Sequence, residues 1–385
     1  MCKTIAVLGA TGSVGQQALD VAKKRGYVVD FISADKSVKK TEAIVREFKP
    51  KYVAMANEAA ALELKACLSD TDTVVLSGKE GILEGVSRSS SGTVINSIIG
   101  GAGLLPTLAT IDAGKRLALA NKESLVIAGD IVMTRARERG VEILPVDSEH
   151  SAIFQSLKSG KKSEIKKIIL TASGGPFYGK SQEELAAVTL EDTLKHPTWK
   201  MGRKITVDSA TLMNKGFEII EAAHLFGTPA DKIEVVVHRE SILHSAIEYI
   251  DNSVIGELSV PDMRMCVQYA VDYPDRCEAV SEELDLIKLS RLTFSAPDER
   301  AFPLLSLAKR AISLGGAMPA VVNAADEVAV AAFLDGRLSF LGISEVVERS
   351  FEALLDRAAV KELDGILEAD KDARRIAAEI TKNIH

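Results

Sequence analysis

The sequence predicts an α/β chain in three parts: an N-terminal Rossmann-type parallel sheet, a central α/β catalytic domain and a C-terminal α-helical bundle. Three observations carry this. Short apolar runs alternate with amphipathic stretches from residue 4 to residue 146, the signature of parallel strands covered by helices. The histidines His150, His196, His224, His238 and His244 and the only tryptophan, Trp199, then crowd the middle of the chain, which marks it as the chemical region. Past residue 299, apolar residues recur at helical spacing. At 385 residues the chain exceeds one ordinary domain of roughly 100 to 200 residues. The expected boundaries are 1–147 for the sheet domain, 148–272 for the catalytic domain with a closing loop, 273–298 for a linker and 299–385 for the bundle.

The first strand, residues 4–8, runs directly into Gly9-Ala10-Thr11-Gly12-Ser13-Val14-Gly15 and an amphipathic run through Leu19 and Ala22. Strand, glycine-rich turn and helix in that order suit a dinucleotide. The glycines let the backbone turn tightly and approach a pyrophosphate, whose charge meets amide N–H groups at the helix start. A plain tight turn with no nucleotide is the other reading. Further strands are expected at 28–33, 52–55, 74–76, 94–98, 117–119 and 143–146. At the end of the second, where such units read the adenosine ribose, stand Asp35, Lys36 and Ser37. Asp35 could accept from a ribose 2′-hydroxyl, whereas Lys36 and Ser37 could hold a 2′-phosphate; the pattern points both ways. Gly100-Gly101-Ala102-Gly103 reads as a tight turn near where a nicotinamide ribose would pass.

Two dense polar groups follow the last two of these strands. Ala120-Asn121-Lys122-Glu123-Ser124 reads as a helix start, with Asn121 capping and Glu123 favoured in the first turn. It also reads as the source of a cation, because the ends of successive strands share one rim and Lys122 can reach the next group. That group is Asp147-Ser148-Glu149-His150, inside Pro145-Val146-Asp147-Ser148-Glu149-His150-Ser151. On an extended backbone Asp147 and Glu149 point the same way. Two adjacent carboxylates repel unless a cation or a proton lies between them. A solvated acidic turn is the alternative.

In the middle third, a strand at 168–170 leads into Thr171-Ala172-Ser173-Gly174-Gly175-Pro176-Phe177, a turn whose hydroxyl and amides suit a phosphate. Lys195-His196-Pro197-Thr198-Trp199-Lys200-Met201-Gly202-Arg203 shows neither helical nor strand periodicity. It reads as a lid that closes over substrate, with Trp199 and Met201 excluding water and His196 donating to a phosphate, or as a loop pinned to the core by Trp199. A helix is expected from Val207 onward, on which Asn214, Lys215 and Glu218 share a face by their three- and four-residue spacings. Ser209, Asn214 and Lys215 suit an anionic oxygen cluster. Glu218 with Asp147 and Glu149 would make an all-oxygen site for a hard divalent cation such as Mg²⁺ or Mn²⁺. Glu221, one turn further, is expected at the surface.

Composition excludes several classes. A net charge of −7 and a pI near 5.6 argue against a nucleic-acid partner. Cys2, Cys67, Cys266 and Cys277 lie far apart, which argues against a zinc site or a disulfide framework and fits a reducing compartment. No stretch reaches the roughly 18 apolar residues of a membrane span. The chain is expected to be soluble and cytoplasmic. Helices are expected at 301–314, 321–334, 343–359 and 370–381, with no catalytic constellation among them.

Together these motifs resemble the 1-deoxy-D-xylulose 5-phosphate reductoisomerase family over nearly the whole chain. The residues that carry the resemblance are the glycine turn 9–15, Ala120 to Ser124, Pro145 to His150, Ser173 to Phe177, His196 to Gly202 and Asp208-Ser209-Ala210-Thr211-Leu212-Met213-Asn214-Lys215-Gly216. The resemblance implies a V-shaped homodimer that uses NADPH and a divalent cation. It implies rearrangement by retro-aldol cleavage and re-addition, then hydride transfer, giving 2-C-methyl-D-erythritol 4-phosphate in the non-mevalonate isoprenoid route. By position, Asp147, Glu149 and Glu218 would be metal ligands and, with Lys122, the catalytic set; Ser148, Lys122 and Glu149 would touch the substrate backbone. Ser173, His196, Ser209, Asn214 and Lys215 would hold its phosphate, with Trp199, Glu218 and His244 also on the substrate side. Thr11, Gly12, Ser13, Val14, Gly15, Asp35, Lys36, Ser37, Asn121, Glu123 and Gly202 would meet the cofactor. His244 and Met263 match supporting positions. Two departures stand out: Asp35-Lys36-Ser37 where the family commonly has Gly-x-Asn, and Asp326 where its Asn-Ala-Ala-Asn-Glu pattern has Asn. The first predicts weaker discrimination against NADH, and the second is expected to be without catalytic effect. Two other functions use many of the same residues: another NADP-dependent, metal-assisted phosphosugar reductase, and a non-catalytic dinucleotide sensor.

Overall fold

Short runs of β-branched and aliphatic residues, each followed by an amphipathic run, build the first sheet. The computed structural model describes residues 3–199 and 201–384, and its chain divides into two compact units. The first runs to Ser124 and takes in Val132–Ser151 and Asp262–Glu282. Its strands are β1 (Thr4–Leu8), β2 (Val28–Ala34), β3 (Tyr52–Met55), β4 (Val74–Ser77), β5 (Thr93–Asn96), β6 (Arg116–Leu119) and β7 (Ile143–Pro145). All pair in parallel in the order β4-β3-β2-β1-β5-β6-β7. The order reverses beside β1, the position at which open sheets of this kind bind ligands. Pro145 is tolerated because β7 is an edge strand, where a missing N–H breaks no central ladder. Helix Met263–Asp272 belongs to this unit. Asp262 caps it, Arg264 joins Asp262 to Asp20 in helix Ser13–Arg25, and Asp272 lies 3.1 Å from Lys3.

The second unit comprises Leu125–Ile131, Ala152–Pro261 and Glu283–His385. Its mixed sheet has the order β11-β10-β8-β9, from β8 (Ile165–Ala172), β9 (Ile233–Val237), β10 (Leu243–Tyr249) and β11 (Val254–Leu258). β8 and β9 are parallel, and the crossover between them carries helices Arg203–Ala210 and Met213–Phe226. The remaining helices, Leu304–Leu314, Met318–Leu334, Phe340–Ala353 and Leu363–Asn383, form the C-terminal bundle. One apolar core runs through sheet and bundle alike, from Ile168 and Leu170 through Phe217 and Ile220 to Val322, Phe351 and Ala377. The helix bearing Asn214, Lys215 and Glu218 is therefore fixed from both sides.

Three local expectations are corrected. Residues 147–149 are not extended: a helix starts at Ser148, so Asp147 and Glu149 are related by helical, not strand, geometry. The helix expected from Val207 is two helices, broken at Leu212, whose φ of 60° puts it in the left-handed region. Glu221 is not on the surface but fully buried in helix Met213–Phe226. Of the cysteines, Cys67 is half-buried, Cys266 buried and Cys277 exposed, and Cys2 lies outside the described residues. Among the described residues no helix is long and apolar enough to cross a membrane.

Candidate active site

In the first unit the glycine turn closes between β1 and helix Ser13–Arg25, with the Ala10 amide bonded to the Ser33 carbonyl. Gly9 has a φ of 78°, and a side chain on it would come within 2.7 Å of the Ser97 carbonyl. On Gly15 it would meet the Gly9 carbonyl at 2.3 Å. The backbone is thus packed on itself at both glycines, and the helix start offers a cradle suited to an anion. Thr11, Gly12, Ser13 and Val14 lie on that turn, and Gly12 is the N-cap, with no side chain competing for the first amides. Asp35 and Lys36 are exposed just past β2, and Ser37 precedes helix Val38–Phe48.

At the carboxyl ends of the adjacent strands β6 and β7, Lys122 Nζ lies 2.6 Å from Asp147 Oδ2. The shared-rim expectation for these two residues holds. Asp147 also caps the helix that follows: its Oδ1 accepts from the Glu149 amide at 3.2 Å, and His150 Nδ1 lies 2.9 Å from the same oxygen. Burial pushes the Asp147 carboxyl up, but the Lys122 charge and the bonds from His150 and Lys122 outweigh it and hold the group well below the usual carboxylate range. Ser148 donates to Glu149 Oε2 at 2.8 Å. Asn121 locks its own loop, donating to the carbonyls of Ile98 and Gly100 and to Glu123, and accepting from the Ser124 amide as a helix cap does.

In the second unit, helical spacing brings Asn214 and Lys215 onto Glu218. The Asn214 amide donates to Glu218 Oε1 at 2.6 Å, and the buried Lys215 ammonium donates to Oε2. Ser173, His196 and Ser209, from three separate segments, form a second cluster: His196 Nε2 lies 3.0 Å from Ser173 Oγ and 3.2 Å from Ser209 Oγ. The other ring nitrogen accepts from the amides of Trp199, at 3.0 Å, and Thr198, at 3.3 Å. Those two donors fix the tautomer, leaving Nε2 with the proton and aimed at the serines. Burial, with the Arg239 charge adding to it, depresses His196 from 6.5 to about 4, so at neutral pH it is a neutral donor.

Arg239 was not marked by the sequence reading. It donates to the carbonyls of Ser173 and Gly175, both at 2.7 Å, and stacks over the Tyr178 ring. Those bonds tie the two carbonyls back, while the Gly175 amide donates to Ser173 Oγ at 3.2 Å. Only glycine suits position 175, where φ is 65° and a side chain would lie 2.7 Å from the Ser209 carbonyl. No motif announces Arg239, because it comes from the turn between β9 and β10 and meets Ser173 only through the sheet. On the loop 195–203, the half-buried Trp199 ring lies 6.0 Å from the ring of buried His244, and Gly202 is exposed at the start of helix Arg203–Ala210. Lys200 lies outside the described residues.

Models of three parts of one family match the chain: 1-deoxy-D-xylulose 5-phosphate reductoisomerase over residues 5–129, its C-terminal domain over 143–226, and a DXP reductoisomerase C-terminal domain over 258–376. The 1-deoxy-D-xylulose 5-phosphate reductoisomerase of Acetivibrio thermocellus is 51% identical over 99% of this chain and 100% of its own. The solved structure of that enzyme from Zymomonas mobilis in complex with NADPH is 41% identical, covers 100% of both chains and superposes with a TM-score of 0.92. A DOX-P reductoisomerase solved with NADPH, fosmidomycin and magnesium is 38% identical, covers 99% of this chain and 98% of its own, and has the same TM-score of 0.92. The fold and the full length agree as well as the motifs do, and the chain belongs to the 1-deoxy-D-xylulose 5-phosphate reductoisomerase family.

Proposed function

We propose that the chain catalyses the metal-dependent rearrangement and NADPH-dependent reduction of 1-deoxy-D-xylulose 5-phosphate to 2-C-methyl-D-erythritol 4-phosphate, in non-mevalonate isoprenoid biosynthesis. The observation that carries this is the repeated pairing of a sheltered carboxylate with its own lysine, Asp147 with Lys122 and Glu218 with Lys215. Sheltered carboxylates of this kind are hard oxygen donors and fit a divalent cation. We assign its ligands as Asp147, Glu149 and Glu218, with Mg²⁺ or Mn²⁺ as the metal. Bound there, the cation would polarise substrate oxygens, and NADPH would supply the hydride.

The chain's own groups do the remainder. Lys122 offers a cation to a substrate oxygen, and Ser148 and Glu149 orient the carbon backbone. Ser173, His196, Ser209, Asn214 and Lys215 hold the phosphate, whose binding orients carbons that do not react through it. Cleavage of a carbon–carbon bond produces fragments that must stay together. Trp199, with His244 behind it, is placed on the loop that would shut water out. Thr11, Gly12, Ser13, Val14, Gly15, Asp35, Lys36, Ser37, Asn121, Glu123 and Gly202 are assigned to the cofactor, and the glycine cradle supports a pyrophosphate there. The enzyme acts in the cytoplasm as a homodimer. The edge strand β11 supports the second point, because Val254, Ile255 and Leu258 are exposed on it.

The test is loss of reduced-nicotinamide absorbance with 1-deoxy-D-xylulose 5-phosphate, with Mg²⁺, with Mn²⁺ and with a chelator. Metal-dependent oxidation with 2-C-methyl-D-erythritol 4-phosphate as product is expected. NADPH binding without turnover would instead favour a sensor, and a different reduced phosphosugar another reductase.

A further inference from the structure

Helix Arg203–Ala210 is only eight residues long, begins where the closing loop ends, and carries Ser209 in its last turn. Helices shorter than about 12 residues are marginal by themselves, so this one is held by what it touches. Lys204 Nζ lies 2.8 Å from Asp208 Oδ2, four residues along the same helix, and 2.9 Å from Asp326 Oδ2 in the bundle helix Met318–Leu334. The same ammonium sits 5.1 Å over the ring of Phe217, the residue next to Glu218 in helix Met213–Phe226. One cation thereby joins three helices: the one bearing Ser209, the one bearing Asn214, Lys215 and Glu218, and one from the bundle. The carboxylates are deeply placed, with Asp208 4% and Asp326 0% exposed at the side chain.

We infer that Lys204, Asp208 and Asp326 form a positioning cluster that sets where Ser209 stands relative to His196 and Ser173, and so governs affinity for the phosphorylated substrate. None of the three touches substrate; they act through Ser209 and the helix that carries it. Asp326 supplies the acceptor by which the bundle helix holds Lys204. Burial, reinforced by neighbouring Glu327 and opposed by Lys204, pushes the Asp326 carboxyl up. The tie therefore needs an acceptor at 326 more than it needs a charge there. The inference rests on the reading that Ser209 and His196 hold the phosphate.

The experiment is steady-state kinetics of the full-length enzyme with 1-deoxy-D-xylulose 5-phosphate and NADPH, beside thermal melting. Lys204→Met and Asp326→Ala are expected to raise the substrate KM about tenfold and leave the NADPH KM within about twofold, the split that marks lost substrate binding. Lys204→Arg and Asp326→Asn, which keep a donor and an acceptor, should recover substrate KM to within about threefold. A merely structural role lowers the amount of active enzyme and its melting temperature, but leaves the KM of the folded fraction unchanged. A wild-type substrate KM in folded Lys204→Met overturns the inference. If that variant does not fold, Asp326→Ala decides, and a wild-type KM there overturns it equally. Ser209→Ala separates the two levels. If it raises substrate KM while Lys204→Met does not, the cluster fails and the phosphate reading stands; if Ser209→Ala leaves KM unchanged, the phosphate reading fails and the inference with it.

Discussion

His196 shows how a single ring can be tuned by its neighbours. Two backbone amides hold Nδ1 as an acceptor, burial disfavours the imidazolium, and Arg239 adds a positive charge nearby. The folded state thus stabilises neutral His196. That contribution is fully present above the ordinary value of 6.5 and is lost as pH falls from there toward 4, because the unfolded chain takes up the proton first. An NMR titration of the His196 ring in the ligand-free protein is expected to give a midpoint near 4. Arg239→Met should move it up while leaving it under 6.5, since burial is the larger cause; a midpoint that stays or falls would rule out the Arg239 effect. Asp35 makes the second residue-scale prediction. It is an exposed carboxylate in the region assigned to the 2′-phosphate, where like charges repel. The wild type should prefer NADPH over NADH only modestly by kcat/KM. Asp35→Asn should increase that preference about tenfold, the effect of roughly 1.4 kcal/mol; a large preference unchanged by the substitution would contradict it.

At the scale of elements, the break between helices Arg203–Ala210 and Met213–Phe226 turns on Leu212. Left-handed backbone costs a leucine roughly 1–2 kcal/mol, and Leu212 is nonetheless 4% exposed in the core. Removing such a side chain costs about 2–5 kcal/mol, so burial wins. Leu212→Gly should lower the melting temperature although it relieves the strain, and a rise would show the conformational cost dominating. The same element shows what the sequence could not disclose. The three- and four-residue spacings made the shared face of Asn214, Lys215 and Glu218 legible, and the common rim of parallel strands made the Lys122–Asp147 pair legible. A leucine in the left-handed region carries no local signature, so the two helices read as one. Asp147 was legible as a partner for Lys122 but not as a cap, because an acidic turn and an N-cap look alike in sequence. β9, β10 and β11 went unassigned: their burial is uneven, and β10 mixes His244, Ser245 and Glu248 among apolar residues. Arg239 reaches Gly175, and Lys204 reaches Asp326, across 64 and 122 positions of the chain, a relation that no local pattern encodes.

For the whole molecule, the decisive question is what covers β11. Among the described residues it pairs only with β10, which places it at one edge of the mixed sheet, and Val254 and Leu258 are exposed at 53% and 40% on residues that alternate to one face. A soluble monomer with such an edge ordinarily blunts it with lysine or proline, because unpaired amides beside apolar side chains template association. Residues 254–258, Val-Ile-Gly-Glu-Leu, contain neither, and Ile250 is exposed just before them. The proposed homodimer accounts for this if the β11 region lies in its interface. Placing a cation on each protomer at a two-fold interface sets like charges against each other and removes apolar burial at once. Val254→Lys combined with Leu258→Lys should therefore convert dimer to monomer in sedimentation velocity at micromolar concentration. The melting temperature of the dilute protein should change little, since neither side chain belongs to the core. A double variant that sediments as an unchanged dimer would place the interface elsewhere, and a wild type that sediments as a monomer would remove the dimer from the proposal.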